Sequence, residues 1–495
     1  MTISPGTPDH YGNELLISDR SRERKERYVA FQNRIAAQRD YWLRRFCYFH
    51  AEDGRFFRFV VPEGASVLEI GSGFGDLLSR LNPSKGVGLD ISPLMVAAAR
   101  KRHPSSLTFY EGDAGDAEVL AKLRGRFDYV IMADTIGALD DCQTTLENLH
   151  RFCRPDTRII VAYYSRLWEP AFWLAEKLNL KQKALPQNWL STDDIRNLLH
   201  LAGFDTIKRE WRVLVPWRAL GIGRFVNRFI ATLPLARRLC LRSYVIARPA
   251  PKRRLGNLSA TVLVPCRNER GNIEAAVIRT PKFCEDMEIL YVEGGSSDGT
   301  WDEIQRVIKA YPDRKIHALK QPGKGKGDAV RAGLAAAEND VLMILDADLT
   351  MPPEDLPKFY DALVSGRGEY INGSRMVYPM EKEAMRILNY VANRVFGWLF
   401  SYLLNQRYTD TLCGTKVLRK KDYERIAANR AYFGKLDPFG CFDLIFGASK
   451  LNLKTAEVYI RYAAREYGET QISRFLHGWL LLRMVILAYR KFKAL

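Results

Sequence analysis

Short apolar runs of strand length recur along this chain, with helix-length amphipathic stretches between them. In the first half the runs are SVLEI, KGVGLDI, LTFYEGDA, FDYVIMAD and RIIVAYY. Most are followed by a helix-like stretch, an alternation that predicts a doubly wound, largely parallel α/β sheet. A charged arm, Asp19 to Arg45, precedes them and is expected to be helical. The Pro/Arg-rich segment RPAPKRRLGN, Arg248 to Asn257, interrupts the alternation and predicts a linker. The pattern then restarts with ATVLVPCRNE, EILYVEGGSSDGT and DVLMILDADLT, and ends in a helix, Ile472 to Tyr489, that is apolar nearly all round. With 495 residues the chain exceeds what one hydrophobic core usually supports. The expected organisation is therefore an α/β domain over 1–250, a linker over 251–258 and a second, different α/β domain over 259–495.

Charge changes this picture by adding a partner. The net charge of +18 calls for something anionic: nucleic acid, acidic lipid headgroups or phosphorylated small molecules. Between Ile207 and Arg254 there are thirteen Lys/Arg against one acid, Glu210, interleaved with Trp211, Trp217, Leu220, Phe225, Phe229 and Leu233. That pattern predicts an amphipathic basic helix at a membrane surface, where each basic residue contributes about 1 kcal/mol near an anionic leaflet. A solvated face of a folded domain is the competing reading. The windows VFGWLFSYLL and GWLLLRMVILAY fall short of the roughly 18 apolar residues a span requires. Eight cysteines without C-x-x-C spacing argue against a disulfide framework and a zinc ribbon, and a reducing cytosol is expected. MTISPGTPDH has neither a basic stretch nor an apolar core, so no signal peptide is expected.

The first half carries LEIGSGFG, which places Gly71, Gly73 and Gly75 between a strand and a helix, where a ligand can lie against bare backbone. Asp90 ends the next strand, as suits an acid that hydrogen-bonds a ribose diol. With Glu69 before the glycines and Asp113 after a third strand, Val67 to Tyr164 resembles class I S-adenosylmethionine (SAM)-dependent methyltransferases. The resemblance implies that Asp90 holds the ribose, that Asp113 and Ala114 flank the adenine, and that Glu69 to Gly75 line the methionine portion. It places Asp134 beside the reactive methyl group. The segment ADTIGALDD lacks the Asn/Asp-Pro-Pro-aromatic run of enzymes that methylate DNA amino groups, and no Pro-Cys pair is present there. A hydroxyl or carboxyl of a lipid-linked or glycan-like molecule is therefore the expected methyl acceptor.

In the second half, MILDADLT drives an apolar run into Asp346 and Asp348. Two neighbouring carboxylates at a strand end repel unless a cation lies between them, and a hard, oxygen-loving metal is the natural partner. A strand end capped by turn-forming aspartates is the plain alternative. VLVPCRNERGNIEAAV, ILYVEGGSSDGTWDEI and VLMILDADLTMPPEDL, followed by NGSRMVYP, DTLCGTKVL and REYGETQIS, resemble family 2 glycosyltransferases of the GT-A fold, and within them the dolichyl-phosphate mannose synthase group. The resemblance implies a nucleotide-sugar site formed by Pro265, Arg267, Asn268, Glu269 and Glu293. Asp346 and Asp348 would hold Mg²⁺ or Mn²⁺ against the donor diphosphate, with Lys324, Lys326 and Arg331 of GKGKGDAVRAG beside it. Arg375, Arg386 and Arg465 take the positions that hold a polyprenyl phosphate. Were the acceptor a hydroxyl, Asp443 is the candidate base. The chain departs from the family at Glu293-Gly294, where two acids are usual, and at Thr350, where a glutamine is frequent; both leave the donor's identity open.

The sequence thus predicts a cytoplasmic bifunctional transferase in peripheral contact with an anionic membrane: inverting, metal-dependent glycosyl transfer to a lipid phosphate or glycan, and SAM-dependent methyl transfer. In the alternative, one half is catalytic and the other recruits it to membrane or nucleic acid, although nucleic acid is the weaker expectation.

Overall fold

The computed structural model describes residues 10–103, 107–182, 185, 187–251, 254–377, 387–432, 440–463, 465, 467 and 474–494. The chain divides into two compact units, Met1–Ala250 and Pro251–Leu495.

In the first unit, α1 (His10–Arg45) and α2 (Cys47–Val60) precede a seven-stranded sheet. Its strands are β1 (Ser66–Ile70), β2 (Lys85–Asp90), β3 (Leu107–Glu111), β4 (Phe127–Ala133), β5 (Cys153–Tyr164), β6 (Phe204–Arg212) and β7 (Arg242–Pro249). They lie in the order β3-β2-β1-β4-β5-β7-β6. Pairing is parallel from β3 through β5, and β7 runs antiparallel to both its neighbours. Helices cover both faces, so the central strands are apolar along their whole length: Val130, Ile131, Met132, Ile159, Ile160 and Val161 are fully buried. The strand order reverses between β1 and β4, and this reversal opens a crevice at their carboxyl ends.

The segment joining β6 to β7 differs from expectation. In place of one amphipathic basic helix it forms short turns: Ala219–Gly221, Ile222–Phe225, Val226–Ile230 and Ala236–Leu239. Leu220 and Gly221 take positive φ (53° and 97°), which ends any regular helix there. The Asn227 side chain folds the stretch back by accepting from the Leu214 and Val215 amides at 2.8 and 2.9 Å.

The second unit is built on β8 (Ala260–Cys266), β9 (Met287–Glu293), β10 (Lys315–Lys320), β11 (Val341–Ile344), β12 (Tyr370–Ser374), β13 (Lys416–Arg419) and β14 (Thr455–Tyr459). Their order is β10-β9-β8-β11-β13-β12-β14. Here β13 is antiparallel to β11 and β12, and the remaining pairs are parallel. Val341 to Leu345 are buried without exception, as a central strand demands. The order reverses between β8 and β11, so Cys266 and Asp346 emerge side by side at a second crevice. Both sheets are mixed but dominated by parallel pairs. Of the expected linker, Leu255 and Leu258 dock on the second unit through Val364 and Tyr360.

Among the described residues no helix is long and apolar enough to cross a membrane. All eight cysteines are free thiols.

Candidate functional site

At the first crevice, Gly71, Gly73 and Gly75 all have positive φ (75°, 52° and 75°), which turns the chain from β1 toward the helix Asp76–Arg80. Asp90 accepts from the Gly73 amide at 2.8 Å and from the Ser92 amide at 2.9 Å, which fixes its carboxylate at the glycine loop. Burial lifts its carboxyl above the ordinary value against the pull of those two bonds. Glu69 lies deeper: burial pushes its carboxyl up to about 8, and its Oε2 has no hydrogen-bond partner. Asp113 accepts from the Gly115 amide at 2.8 Å and pairs with Lys25 of α1 at 2.6 Å, and Ala114 beside it is buried. A cavity of about 1110 Å³ is lined by Gly71, Gly73, Asp90, Asp113, Ala114 and Asp134, with Glu69 buried outside that lining. A drug-sized ligand usually occupies about 300–1,000 Å³, so the space exceeds one cofactor.

Asp134 ends β4 at φ 61°. It pairs with Arg242, a fully buried guanidinium that also holds Asp53 of α2 at 3.0 and 3.2 Å. Burial works against the Arg242 charge, and Asp134 and Asp53 overcome it, raising the guanidinium well above its ordinary value. The far wall of the cavity is aromatic: Trp42, Phe46, Phe49, Tyr164, Trp168 and Phe172. His50 joins it, and burial pushes the imidazole down to about 4, so the ring is neutral at pH 7.

An orphaned buried carboxylate oxygen at Glu69, a fixed acid at Asp90 and a glycine turn with room above it fit the ammonium, the ribose diol and the extended body of SAM. The predicted residues Glu69, Gly71, Gly73, Gly75, Asp90, Asp113, Ala114 and Asp134 thus come together at one end of the sheet. Sequence reasoning missed Arg242, Asp53 and the inward residues of α1. The helical spacing of Tyr28, Gln32, Ile35, Arg39 and Trp42 was the available signal for α1; nothing local marks Arg242 and Asp53, which lie 189 residues apart.

At the second crevice, the chain turns immediately after β11, with the Leu349 amide donating to Asp346 O at 3.1 Å. Asp346 Oδ1 meets Lys326 Nζ at 2.6 Å. Burial alone would raise this carboxyl, but Lys326 holds it below its ordinary value. Asp348 Oδ2 accepts from Arg465 at 2.5 Å and its Oδ1 from the Thr350 hydroxyl at 2.8 Å. Arg465 also approaches Glu269 at 3.8 Å. Both aspartates therefore already collect cations. No group of three His, Cys, Asp or Glu side chains forms a metal cage among the described residues. Two carboxylates without a third protein ligand fit Mg²⁺, which is commonly bound by one or two carboxylates, waters and substrate phosphates.

Around them, Asn268, at φ 55°, donates its amide to Ser296 Oγ at 2.9 Å and accepts from the Ser297 amide at 2.9 Å. Glu293, buried, accepts from the Ser296 amide at 2.5 Å. Together they shape the loop after β9. Pro265 is half-buried, and Arg267 and Lys324 are exposed at the rim.

Three predicted side chains are already engaged. Arg331 turns to Asp443 at 3.6 Å, and Arg430 reaches the same carboxylate at 3.4 Å. Asp443 is thus a buried acid held by two arginines. Arg375 forks onto Asp410 at 2.6 and 2.9 Å, and burial of this pair is offset by its mutual attraction. Arg386 lies outside the described residues. A neighbouring cavity of about 540 Å³ is lined by Met376, Arg394, Trp398, Arg407 and Thr409, of which the sequence reading named none.

The glycosyl transferase family 2 profile matches residues 261–426, and a methyltransferase domain profile matches residues 62–203. The chain is 36% identical over 230 residues to a dolichol-phosphate mannosyltransferase of Pyrococcus furiosus, a match covering 42% of this chain and 63% of that one. It is 30% identical over 219 residues to a polyprenol monophosphomannose synthase of Mycolicibacterium smegmatis, covering 43% of this chain and 80% of the relative. A Thermotoga maritima SAM-dependent methyltransferase structure, described as a possible histamine N-methyltransferase, overlays at TM-score 0.34 and 18% identity, covering 44% of this chain and 97% of that one, a likeness too slight to weigh. The chain belongs to glycosyltransferase family 2 through its second half, which follows a segment in its first that matches the methyltransferase domain profile.

Proposed function

We propose that the protein is a bifunctional transferase, moving a sugar from a nucleotide-sugar donor to a polyprenyl phosphate or related lipid or glycan acceptor, and a methyl group from SAM to a glycan or lipid-linked substrate. The observation that carries the sugar-transfer reading is the family 2 match over residues 261–426, within which Asp346 and Asp348 lie at the carboxyl end of β11, paired with the basic side chains of Lys326 and Arg465. Relatives named for transfer to dolichol phosphate and to polyprenol phosphate support the acceptor class.

In this reading Asp346 and Asp348 hold Mg²⁺ or Mn²⁺, which supplies Lewis-acid stabilisation of the departing diphosphate. Lys326 and Arg465, paired with these carboxylates, bring positive charge to the same place and would be free to meet the donor phosphates were the carboxylates to hold the ion. Arg267 and Lys324 at the rim meet the rest of the diphosphate, and Pro265, Asn268, Glu269 and Glu293 shape the nucleoside side. A phosphate acceptor is already an oxyanion and requires no proton acceptor. Asp443, tied to Arg331 and Arg430, favours that acceptor over a hydroxyl. Arg375, braced by Asp410, and the cavity arginines Arg394 and Arg407 form the basic ground on which an acceptor phosphate lands, to which the family resemblance adds Arg386.

In the first unit SAM supplies the electrophilic methyl group. Asp90 orients the ribose, Glu69 takes the ammonium, Asp113 and Ala114 bound the adenine, and the aromatic wall excludes water from an apolar acceptor. His50, its imidazole pushed down to about 4 by burial, stays neutral at pH 7 and adds to that wall without adding charge.

The decisive experiment incubates the protein with a panel of radiolabelled nucleotide sugars and polyprenyl phosphate, with Mg²⁺, Mn²⁺ or a chelator. Expected is a metal-dependent, lipid-extractable sugar phosphate from one donor, lost in Asp346→Asn. Transfer that survives both chelation and this substitution sinks the metal reading.

A further inference from the structure

We propose that Arg39, on a helix outside the matched methyltransferase segment, grips the carboxylate of the methionine portion of SAM and so makes α1 a working wall of the cofactor site. The inference rests on the methyltransferase reading above and goes further, because the profile match begins only at residue 62. Tyr28, Gln32, Ile35, Arg39 and Trp42 recur at helical spacing and all line the large cavity. α1 is pinned there by Asn33, which accepts from Ser92 Oγ at 2.7 Å, and by Asp40, which meets Arg102 at 2.7 Å.

SAM presents an ammonium and a carboxylate at its methionine end, so its site requires an anion and a cation close together. Glu69 is the anion. For the cation, the basic side chains that line the cavity can be sorted by what they already hold. Lys25 pairs with Asp113 at 2.6 Å, Arg24 with Asp140, Lys181 with Glu176 at 2.6 Å, and Arg27 with Glu23 at 3.7 Å. Arg45 reaches outward to the Tyr41 hydroxyl at 3.4 Å. Arg39 is different. Its Nε is buried without a hydrogen-bond partner, and its guanidinium lies over the Phe74 ring, 5.6 Å from the centroid. Its Nη2 rests so close to Gly73 that a Cβ there would come within 2.8 Å. It therefore lies on the backbone of the glycine turn itself, and both Glu69 and Asp90 feel its charge. A planar guanidinium whose Nε is uncommitted, beside a buried acid, is the form in which proteins take a carboxylate.

The test is calorimetric titration of the full-length protein with two ligands: SAM, and its decarboxylated analogue, which keeps the sulfonium, the nucleoside and the amine. In Arg39→Met, SAM should bind about 10- to 100-fold more weakly, the usual effect of losing a charged hydrogen bond, while the analogue changes less than about twofold. Arg39→Lys should recover part of the SAM affinity. Unchanged binding of the analogue also shows that the variant is folded. Equal losses for both ligands overturn the role given to Arg39 and leave the methyltransferase reading standing. Wild-type protein that binds neither ligand refutes that reading, and the proposal with it.

Discussion

Glu69 is an acid whose burial lifts it from 4.5 to about 8, with Asp90 and Asp76 adding to the rise and Arg39 and the Leu78 backbone opposing it. At pH 7 the cofactor-free protein therefore holds a proton there that an unfolded chain has already lost. Because the folded value is the higher one, stability of the first unit falls as pH climbs from 4.5 to about 8 and levels off above, with a slope of at most about 1.4 kcal/mol per unit. An arriving ammonium favours the ionised acid, so SAM binding at pH 7 should expel close to one proton. Titrations in buffers of different ionisation enthalpy read that number directly, and Glu69→Gln should abolish it. An unchanged proton count in that variant removes Glu69 from the site. Gly414 makes a comparable case in the second unit: a Cβ there would overlap the Asp346 carboxylate. Gly414→Ala should push that carboxylate out of register and lower sugar transfer about 100-fold, as small misplacements of catalytic groups do, while the melting temperature moves little. Full activity in this variant would show that the position of Asp346 does not matter.

Elements carry a second kind of constraint. α2 is fastened to β7 through Asp53, which receives Arg242 Nε and Nη2 and the Tyr244 hydroxyl, all of them buried. Removing Asp53 leaves the buried Arg242 with Asp134 alone, and breaking one partner of a buried ion pair costs up to about 3–5 kcal/mol. Asp53→Ala should lower the melting transition of the first unit by on the order of 10 °C, read by calorimetry, and should disturb Asp134 through their shared arginine. A negligible shift would mean that α2 docks by its apolar face alone, through Phe49, Phe56, Phe57 and Val60. The strand ends of both sheets were legible in the sequence because an apolar run stopping at Gly71, Asp90 or Asp346 is a local pattern. The direction of β7 and β13 was not, since it depends on pairing with distant strands, although LRSYVIAR itself read as a strand. For the same reason the glycine and acid motifs announced a cofactor crevice, whereas Arg242 and Arg39 became visible only when helices and strands far apart in the chain met. Lys326 was read from its loop as a phosphate contact, and its hold on Asp346 could not have been: that ion pair spans 20 residues and the turn of a sheet.

Several stretches of the chain set exposed apolar side chains among cations. Between β6 and β7, Leu220, Ile222, Phe225 and Leu235 stand exposed, Leu220 completely, among the exposed arginines Arg218, Arg224 and Arg238. In the second unit the helices Ile387–Leu404 and Arg474–Ala488 pack together and expose Val391, Val395 and Trp398 from one, Trp479, Leu482 and Ile486 from the other. We propose that these stretches meet an anionic membrane, because apolar side chains that project among cations favour the boundary between headgroups and acyl chains over water. With each basic residue contributing about 1 kcal/mol near an anionic leaflet, replacing Arg218, Arg224 and Arg238 by glutamine should weaken binding to phosphatidylglycerol vesicles about 100-fold. Leu220→Ser should weaken it further and by an amount that salt does not alter, since it removes burial rather than charge. Co-sedimentation with anionic and with neutral vesicles at two salt concentrations separates the two contributions. Equal binding of wild type and triple variant to anionic vesicles would take this segment out of the membrane contact and leave the paired helices of the second unit to be tested alone, through Trp398→Ser and Trp479→Ser.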